Sequence, residues 1–362
     1  MDEVREESHR AAFLSDTAMK AIPAIALVAL IACVDCAAAS QVAAEPAPAY
    51  AVTKAVPLGG PDRWDYVVFD PASHRVYVAH VDRVSVVDGH SGKVLGEVKG
   101  IAGGSHGIGI STATNQGFTD DGKQGLAVAF DLKTLAVKTT IAAQPDADAI
   151  AFDRASGHLF VVEGDPHKVT VIDPRTNKVV ATIDGGGGLE YAVSDDRGHL
   201  YVNGATKREI VRIDTRTNVV DATWPIPNCA SPHGMAIDIA AHRVFTSCVN
   251  GVLTVVDTDS GSLVATVPIG RGTDAAAYDP KRKLVFSSNG IDGTLSVIAE
   301  KDANTFVPVA TIKTAITGRT MSIDPDTGRI YIAAGEIDPN PAPGRPRLVP
   351  GSLKLLFVDP TP

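Results

Sequence analysis

Short runs in which apolar and polar residues alternate follow one another along most of the chain, and turn residues separate them. The stretch that starts at Tyr66, YVVFDPASHRVYVAHVDRVSVVDGHSGKVLGEV, holds four such runs. Stretches with the same order of features start at Ala149 and Gly234. A period of two is typical of β-strands with one buried face, and Asp, Asn, Gly and Ser are typical of the turns between them. Each stretch therefore predicts four β-strands.

An Asp ends the first predicted strand of almost every unit and sets the register of the repeat. Seven positions, 41–45 residues apart, share this place: Asp70, Ser111, Asp153, Asp195, Asp238, Asp279 and Asp324. A four-stranded unit with this period is typical of a β-propeller blade. The sequence therefore predicts an all-β fold, a seven-bladed β-propeller with four-stranded blades.

The last unit supplies only three strands, and the missing one lies at the other end of the chain. The segment YAVTKAVPLGG at 50–60 is similar to SLVATVPIG at 262–270, which is the fourth strand of another unit. We therefore expect the N-terminal strand to complete the last blade and close the ring, which removes the open sheet edges.

Several segments resemble a known repeat. HRVYVAH, GHLYVNG and HLFVVEG, together with VTVIDPRTNKVVATI, resemble the YVTN-type repeat of exported bacterial YncE-like β-propeller proteins, and the resemblance covers roughly residues 50–359. It implies a seven-bladed propeller. Related propellers include lactonases and lyases whose sites lie at the mouth of the central channel, but no lactonase motif is present residue by residue.

The first 44 residues have the features of a leader. The segment MKAIPAIALVALIACVDCAAAS, from Met19, has a lysine, an apolar stretch and then small residues, which is typical of a secretory signal. Residues 45–362 then form a single propeller domain in the periplasm or outside the cell. The alternative is a lipoprotein signal that would leave the protein lipid-anchored at Cys33.

Composition excludes some partners. The chain is acidic, with a net charge of −9, and nucleic-acid binding depends on cations that neutralise phosphates. After the leader, no segment is long and apolar enough to span a membrane, and we expect a monomer. Removal of the leader leaves Cys229 and Cys248 as one pair in an oxidising compartment, which predicts a disulfide; the alternative is that Cys248 is a free thiolate ligand.

Polar residues stand five positions before each register residue, where every first strand begins. We expect them to form a ring at the channel mouth: Asp65, His106, Asp148, Glu190, His233, Asp274 and Arg319. A second polar set ends the second strands: His80, Asp121, Glu163, Asn203, Cys248 and Asn289.

Two interpretations of the first ring stay open. It could be the hydrogen-bonded polar lining of a water-filled channel. It could also be a site for a small molecule or a divalent metal, with two histidines and carboxylates suiting Cu, Zn, Fe or Mn and carboxylates alone suiting Ca. If the site is catalytic, His106 or His233 is the candidate general base and Arg319 the group that holds an anion.

The last unit also carries an insertion, EIDPNPAPGRPRLVPGS at 336–352, which we expect over the same face as a surface arm or a lid. The sequence thus predicts an exported binding or scaffold protein for a small molecule or protein partner, with a metal ion in the ring as an option. The alternative is a metal-assisted hydrolase or lyase of the lactonase type.

Overall fold

The structure is a computed structural model that describes residues 49–61, 63–340 and 347–361. The predicted leader, residues 1–44, and its Cys33 lie outside the described residues. The first described strand, β1 (Tyr50–Pro57), belongs to the last blade, and the following strands fill the blades in chain order.

The first three blades each contain four consecutive antiparallel strands. Their bounds are β2 (Val67–Asp70), β3 (Arg75–His80), β4 (Arg83–Asp88) and β5 (Val94–Lys99) in blade 1; β6 (Ile108–Ser111), β7 (Gln116–Asp121), β8 (Leu126–Asp131) and β9 (Val137–Ala142) in blade 2; β10 (Ala147–Asp153), β11 (His158–Glu163), β12 (Lys168–Asp173) and β13 (Lys178–Asp184) in blade 3. Two short 3₁₀ helices, Thr112–Thr114 and Gly122–Gln124, flank β7.

Blades 4 to 6 repeat this arrangement, and blade 7 takes its outermost strand from β1. The bounds in blade 4 are β14 (Leu189–Ser194), β15 (His199–Gly204), β16 (Glu209–Asp214) and β17 (Val219–Pro225), and those in blade 5 are β18 (Pro232–Asp238), β19 (Arg243–Cys248), β20 (Val252–Asp257) and β21 (Leu263–Pro268). Blade 6 contains β22 (Thr273–Asp279), β23 (Leu284–Asn289), β24 (Thr294–Asp302) and β25 (Thr305–Lys313). Blade 7 contains β26 (Thr320–Ile323), β27 (Ile330–Ala334) and β28 (Lys354–Pro360) beside β1.

The ring is closed in the way that the sequence predicts. Strand β1 pairs antiparallel with β28, with Tyr50 opposite Pro360 and Pro57 opposite Lys354. The first strands of neighbouring blades contact one another all the way round, and β26 contacts β2. The first strands therefore surround the axis, and the predicted seven-bladed fold is confirmed.

One aromatic residue in each second strand fills the core of its blade. These side chains are at most 2% exposed: Tyr77, Phe118, Phe160, Tyr201, Phe245, Phe286 and Tyr331. Because strand side chains alternate between faces, the same position in each repeat meets the same layer between sheets. Burial of an aromatic side chain of this size contributes roughly 2–3 kcal/mol each.

The recurring Asp residues have a structural role. Asp279 Oδ1 accepts the backbone N–H groups of Lys281 and Arg282 at 2.9 and 3.0 Å, and Asp238 does the same for Ala240 and Ala241. Such bonds form an Asx turn, which fixes the tight connection between first and second strands. Blade 2 has Ser111 in this place and uses a 3₁₀ helix for the connection.

Candidate functional site

The seven ring positions lie at one end of the first strands, and all of them are half-buried. Two of these residues, His106 and His233, are each followed by a glycine because the first strands approach closely there. A Cβ on Gly107 would lie 2.3 Å from the backbone oxygen of Asp148, and a Cβ on Gly234 would lie 2.3 Å from the backbone of Ala275. The His-Gly pairs therefore combine a side chain at the mouth with tight contact between blades.

Arg319 joins carboxylates from two other blades. Its Nη1 lies 2.9 Å from Asp274 Oδ2, and its Nη2 lies 3.8 Å from Asp65 Oδ2. The Nη2 group also donates to the backbone oxygen of Trp64 at 3.0 Å. The guanidinium thus neutralises part of the ring and links two of its carboxylates.

Burial perturbs the remaining acids of the ring. It raises the pKa of Asp65 to about 7, although Arg319 acts in the opposite direction. Burial, together with Asp65 and Glu190, raises the pKa of Asp148 well above its usual range. Burial also raises the pKa of Glu190, against the influence of His233. Several of these groups therefore hold protons at pH values where an exposed carboxyl would be ionised.

His233 is held by its own loop. Its Nδ1 donates to the backbone oxygen of Ser231 at 3.0 Å, and its Nε2 lies 3.9 Å from Asp274 Oδ1. Cys229, four residues earlier, forms a disulfide with Cys248, the last residue of β19. The predicted disulfide is confirmed, and it ties the loop that presents His233 to the neighbouring strand.

His106 has a buried partner that the sequence analysis did not single out. Its Nδ1 donates to Asp120 Oδ2 at 2.8 Å, while Asp120 Oδ1 accepts the backbone N–H groups of His106 and Gly107 at 2.8 and 2.7 Å. Asp120 is fully buried, whereas the His106 side chain is 37% exposed. Because the carboxylate accepts from Nδ1, the Nε2 atom is left for a ligand.

Charge and burial oppose each other in this pair. Burial lowers the pKa of His106, but the hydrogen bond and charge of Asp120 outweigh it, and the pKa lies above its usual value. Burial raises the pKa of Asp120, and the hydrogen bonds from His106 and Gly107 only partly offset this. The sequence signal for Asp120 is the double Asp of TDD, where strand alternation turns two neighbouring acids to opposite faces.

The second polar set lies inside the blades. His80, Asp121, Glu163, Asn203, Cys248 and Asn289 are at most 3% exposed. Two of them have local partners: His80 Nδ1 lies 3.0 Å from Ser85 Oγ, and Asn289 Nδ2 donates to Ser296 Oγ at 3.0 Å. Asn203 is the one that reaches towards the ring, because its Nδ2 donates to the backbone oxygen of His233 at 2.6 Å.

A cavity of about 320 Å³ opens beside the ring, at the mouth ends of blades 1 to 3. Its ionisable lining residues are Arg63, Asp65, His106, Lys123, Asp146 and Arg319. Trp64, Val81 and Pro145 supply apolar walls. A small pocket with apolar walls and a few converging polar groups is typical of a ligand site.

The described residues contain no group of three or more His, Cys, Asp and Glu side chains placed to hold a metal ion. The candidate metal ligands His106, His233, Asp65, Asp148, Glu190 and Asp274 therefore stay a prediction. In the same part of the chain, no helix is long and apolar enough to cross a membrane.

The insertion begins beside this cavity. Ile337 and Leu348 form an isolated antiparallel bridge, and Leu348 contacts the cluster that contains Trp64. Residues 341–346 lie outside the described residues, so the interpretation as a lid stays a prediction.

Comparison with known proteins supports the fold alone. No family model matches the chain, and no curated protein is significantly similar to it in sequence. Among solved structures, it is similar to a hydrazine synthase of Kuenenia stuttgartiensis, with 14% identity and a TM-score of 0.65 over 74% of this chain and 91% of that one. It is also similar to the RRP9 WD40 repeats, with 12% identity and a TM-score of 0.72 over 86% of this chain and 99% of that one. A chain of a mitotic checkpoint complex is similar with 17% identity and a TM-score of 0.70, over 84% of this chain and 93% of that one.

Proposed function

We propose that this chain is an exported YncE-like β-propeller that binds a small molecule at the channel mouth. The observation that supports it best is the cavity of about 320 Å³ beside a ring of ionisable side chains from all seven blades. Binding at one end of the channel suits a propeller, because loops of every blade meet there on a rigid support.

The test of binding uses a variant of Arg319. Arg319 lines the cavity and also holds Asp65 and Asp274, so its loss changes both the charge and the geometry of the mouth. Mature protein should be screened against small molecules grouped by charge, with the melting temperature as the readout. A ligand of the mouth raises the melting temperature of the wild type and not that of R319M. If no compound stabilises the wild type more than R319M, the proposal fails.

Export is proposed from the leader and fits the disulfide. Disulfides persist in oxidising compartments and are rare in the cytosol. The experiment is to express the full chain, separate the cell fractions, and determine the N-terminus and the thiol state of Cys229 and Cys248. We expect cleavage after Ala39 or Ala44 and no free thiol. An uncleaved cytosolic protein with two free thiols contradicts export, and a lipid on Cys33 indicates the anchored form.

A metal ion remains the second candidate for the ring. The residues would be His106 and His233, with carboxylates from neighbouring blades. Elemental analysis of untagged mature protein tests this, with the H106A/H233A double variant as comparison. Near-stoichiometric metal that disappears in the variant supports a metal site, and its absence from both proteins rejects one.

The enzyme alternative is favoured by one observation, the hydrogen bond between His106 and the buried Asp120. A histidine oriented by a carboxylate is the arrangement of a general base, and Arg319 lines the same cavity as a cation that could stabilise an oxyanion. Hydrolysis of a panel of simple lactones and esters, compared between wild type and D120N, tests it. Turnover that falls at least 100-fold in D120N supports catalysis, whereas equal rates leave only binding.

A further inference from the structure

The cavity beside the ring has a distribution of charge that selects among ligands. Two of its cations, Arg63 and Lys123, are exposed, and within the described residues neither makes an ion pair. Arg319, in contrast, is held by Asp65 and Asp274. The cavity therefore offers two cations that no described carboxylate neutralises.

The cations that line the cavity outnumber its acids, because Arg63, Lys123 and Arg319 stand against Asp65 and Asp146. Asp146 Oδ2 accepts the backbone N–H group of Asp165 at 2.9 Å. Asp65 faces Arg319, and burial raises its pKa to about 7, so it carries only part of a negative charge near neutral pH. The other strongly perturbed acids, Asp148 and Glu190, are not among the residues that line the cavity.

His106 is fixed so that its free nitrogen is available to a ligand in the cavity. Asp120 holds Nδ1 at 2.8 Å, and two glycines make room for the ring. A Cβ on Gly122 would lie 2.9 Å from Cε1 of His106, and a Cβ on Gly104 would lie 3.2 Å from the same atom. Within the described residues Nε2 has no hydrogen-bond partner, and in the imidazolium form it donates a hydrogen bond.

We propose that this cavity binds a small organic anion, which is paired by Lys123 and Arg63 and lies beside Nε2 of His106. The apolar part of the ligand lies against Trp64, Val81 and Pro145. This inference rests on the proposed binding function and deepens it by naming the class of ligand.

The size of the cavity limits the ligand to a small one. About 320 Å³ lies at the low end of the ~300–1,000 Å³ range of ligand pockets. A monocyclic carboxylate therefore has a suitable size, with one charged end and one apolar body. Benzoate serves as the probe, and benzamidine and benzamide are controls of the same shape with a positive charge and no charge.

The experiment is an NMR titration of the mature chain with isotope-labelled histidine. Benzoate, benzamidine and benzamide are added to the wild type, H106Q and K123M, with H90Q at an exposed turn as the matched control. We expect benzoate to shift the His106 resonances and to bind at least tenfold more tightly than benzamidine or benzamide. H106Q and K123M should each weaken the binding of benzoate about tenfold, and H90Q should not. Because K123M leaves the buried pair intact, it tests the proposal even if H106Q folds poorly.

Two results overturn the inference: no shift of His106 with benzoate, or equal affinity for benzamidine. They are distinguishable from failure of the binding function itself. A screened ligand that depends on Arg319 and shifts His233 but not His106 retains binding at the mouth and rejects the anion cavity. Absence of any Arg319-dependent ligand rejects both.

Discussion

Replacement of Glu163 by glutamine should stabilise the protein at alkaline pH and have almost no effect in acid. Glu163 ends β11 and is fully buried. Its Oε1 accepts the backbone N–H group of Gln144 at 3.2 Å, and within the described residues its Oε2 has no hydrogen-bond partner. No cation pairs with this carboxyl group in the described part of the chain, so its ionised form is poorly stabilised.

The magnitude follows from the pKa. Burial raises the pKa of Glu163 from 4.5 to about 7 in the folded protein. Because the folded-state pKa is raised, the protonated group contributes its full stabilisation of the folded protein below pH 4.5. This stabilisation is lost as the pH rises through 7, because the unfolded state releases the proton at a lower pH than the folded state does. One pKa unit corresponds to about 1.4 kcal/mol, so the wild type loses about 3 kcal/mol between these limits through this one group.

The E163Q variant keeps the shape and the acceptor for Gln144 but cannot ionise. We therefore expect its free energy of unfolding to match that of the wild type at pH 4.5 and to exceed it by up to about 3 kcal/mol at pH 8. Urea denaturation followed by tryptophan fluorescence measures both values. Groups that titrate alike in the two proteins do not contribute to the difference between their free energies of unfolding.

Glu97 supplies a control of opposite sign. Although burial opposes it, hydrogen bonds with Arg83 and Lys99 lower the pKa of Glu97. E97Q should therefore destabilise the protein at pH 8, by about 0.5 kcal/mol, because the pair is partly exposed. If E163Q is equally stable or less stable than the wild type at pH 8, Glu163 is ionised in the folded state and the reasoning from burial is wrong.

Three further predictions concern the closure and the mouth of the ring. The C229S/C248S variant should lose about 3 kcal/mol of stability, because the disulfide closes a loop of 19 residues and so lowers the entropy of the unfolded chain. Dithiothreitol should then lower the melting temperature of the wild type and not that of the variant. Deletion of residues 50–57 should leave β28 as an unpaired edge and cause aggregation, and a monodisperse monomer in size-exclusion chromatography would contradict this. R319M should raise the pKa of Asp65, because its cation is lost, and cost about 1–3 kcal/mol of stability, more at pH 8 than at pH 5; equal losses at both pH values in urea denaturation would refute it.

The repeat made most of the fold predictable. Strand alternation, the Asp that forms each Asx turn and the one aromatic residue in each second strand recur with the same period, so each unit specifies the same blade. The number of blades and the exchange of β1 into the last blade followed from this register, and the disulfide followed from the one pair of cysteines that remains after the leader. These features depend on contacts within a unit or between neighbouring units, for which sequence spacing is sufficient.

The partners within the mouth depend on the closed ring instead. Closure places Arg319 of blade 7 next to Asp65 of blade 1, 254 positions away in the chain, and its guanidinium lies near both that carboxylate and the carboxylate of Asp274. A period of two fixes the face of a residue, but not which of several charged groups at the axis it meets. For the same reason the sequence pattern marks Asp121 and not Asp120, because the depth of burial and the position of His106 decide which of the two adjacent acids becomes its partner. The sequence thus determined the blades and the order in which they close, while burial and charge at the axis, which exist only in the folded ring, decided the chemistry of the mouth.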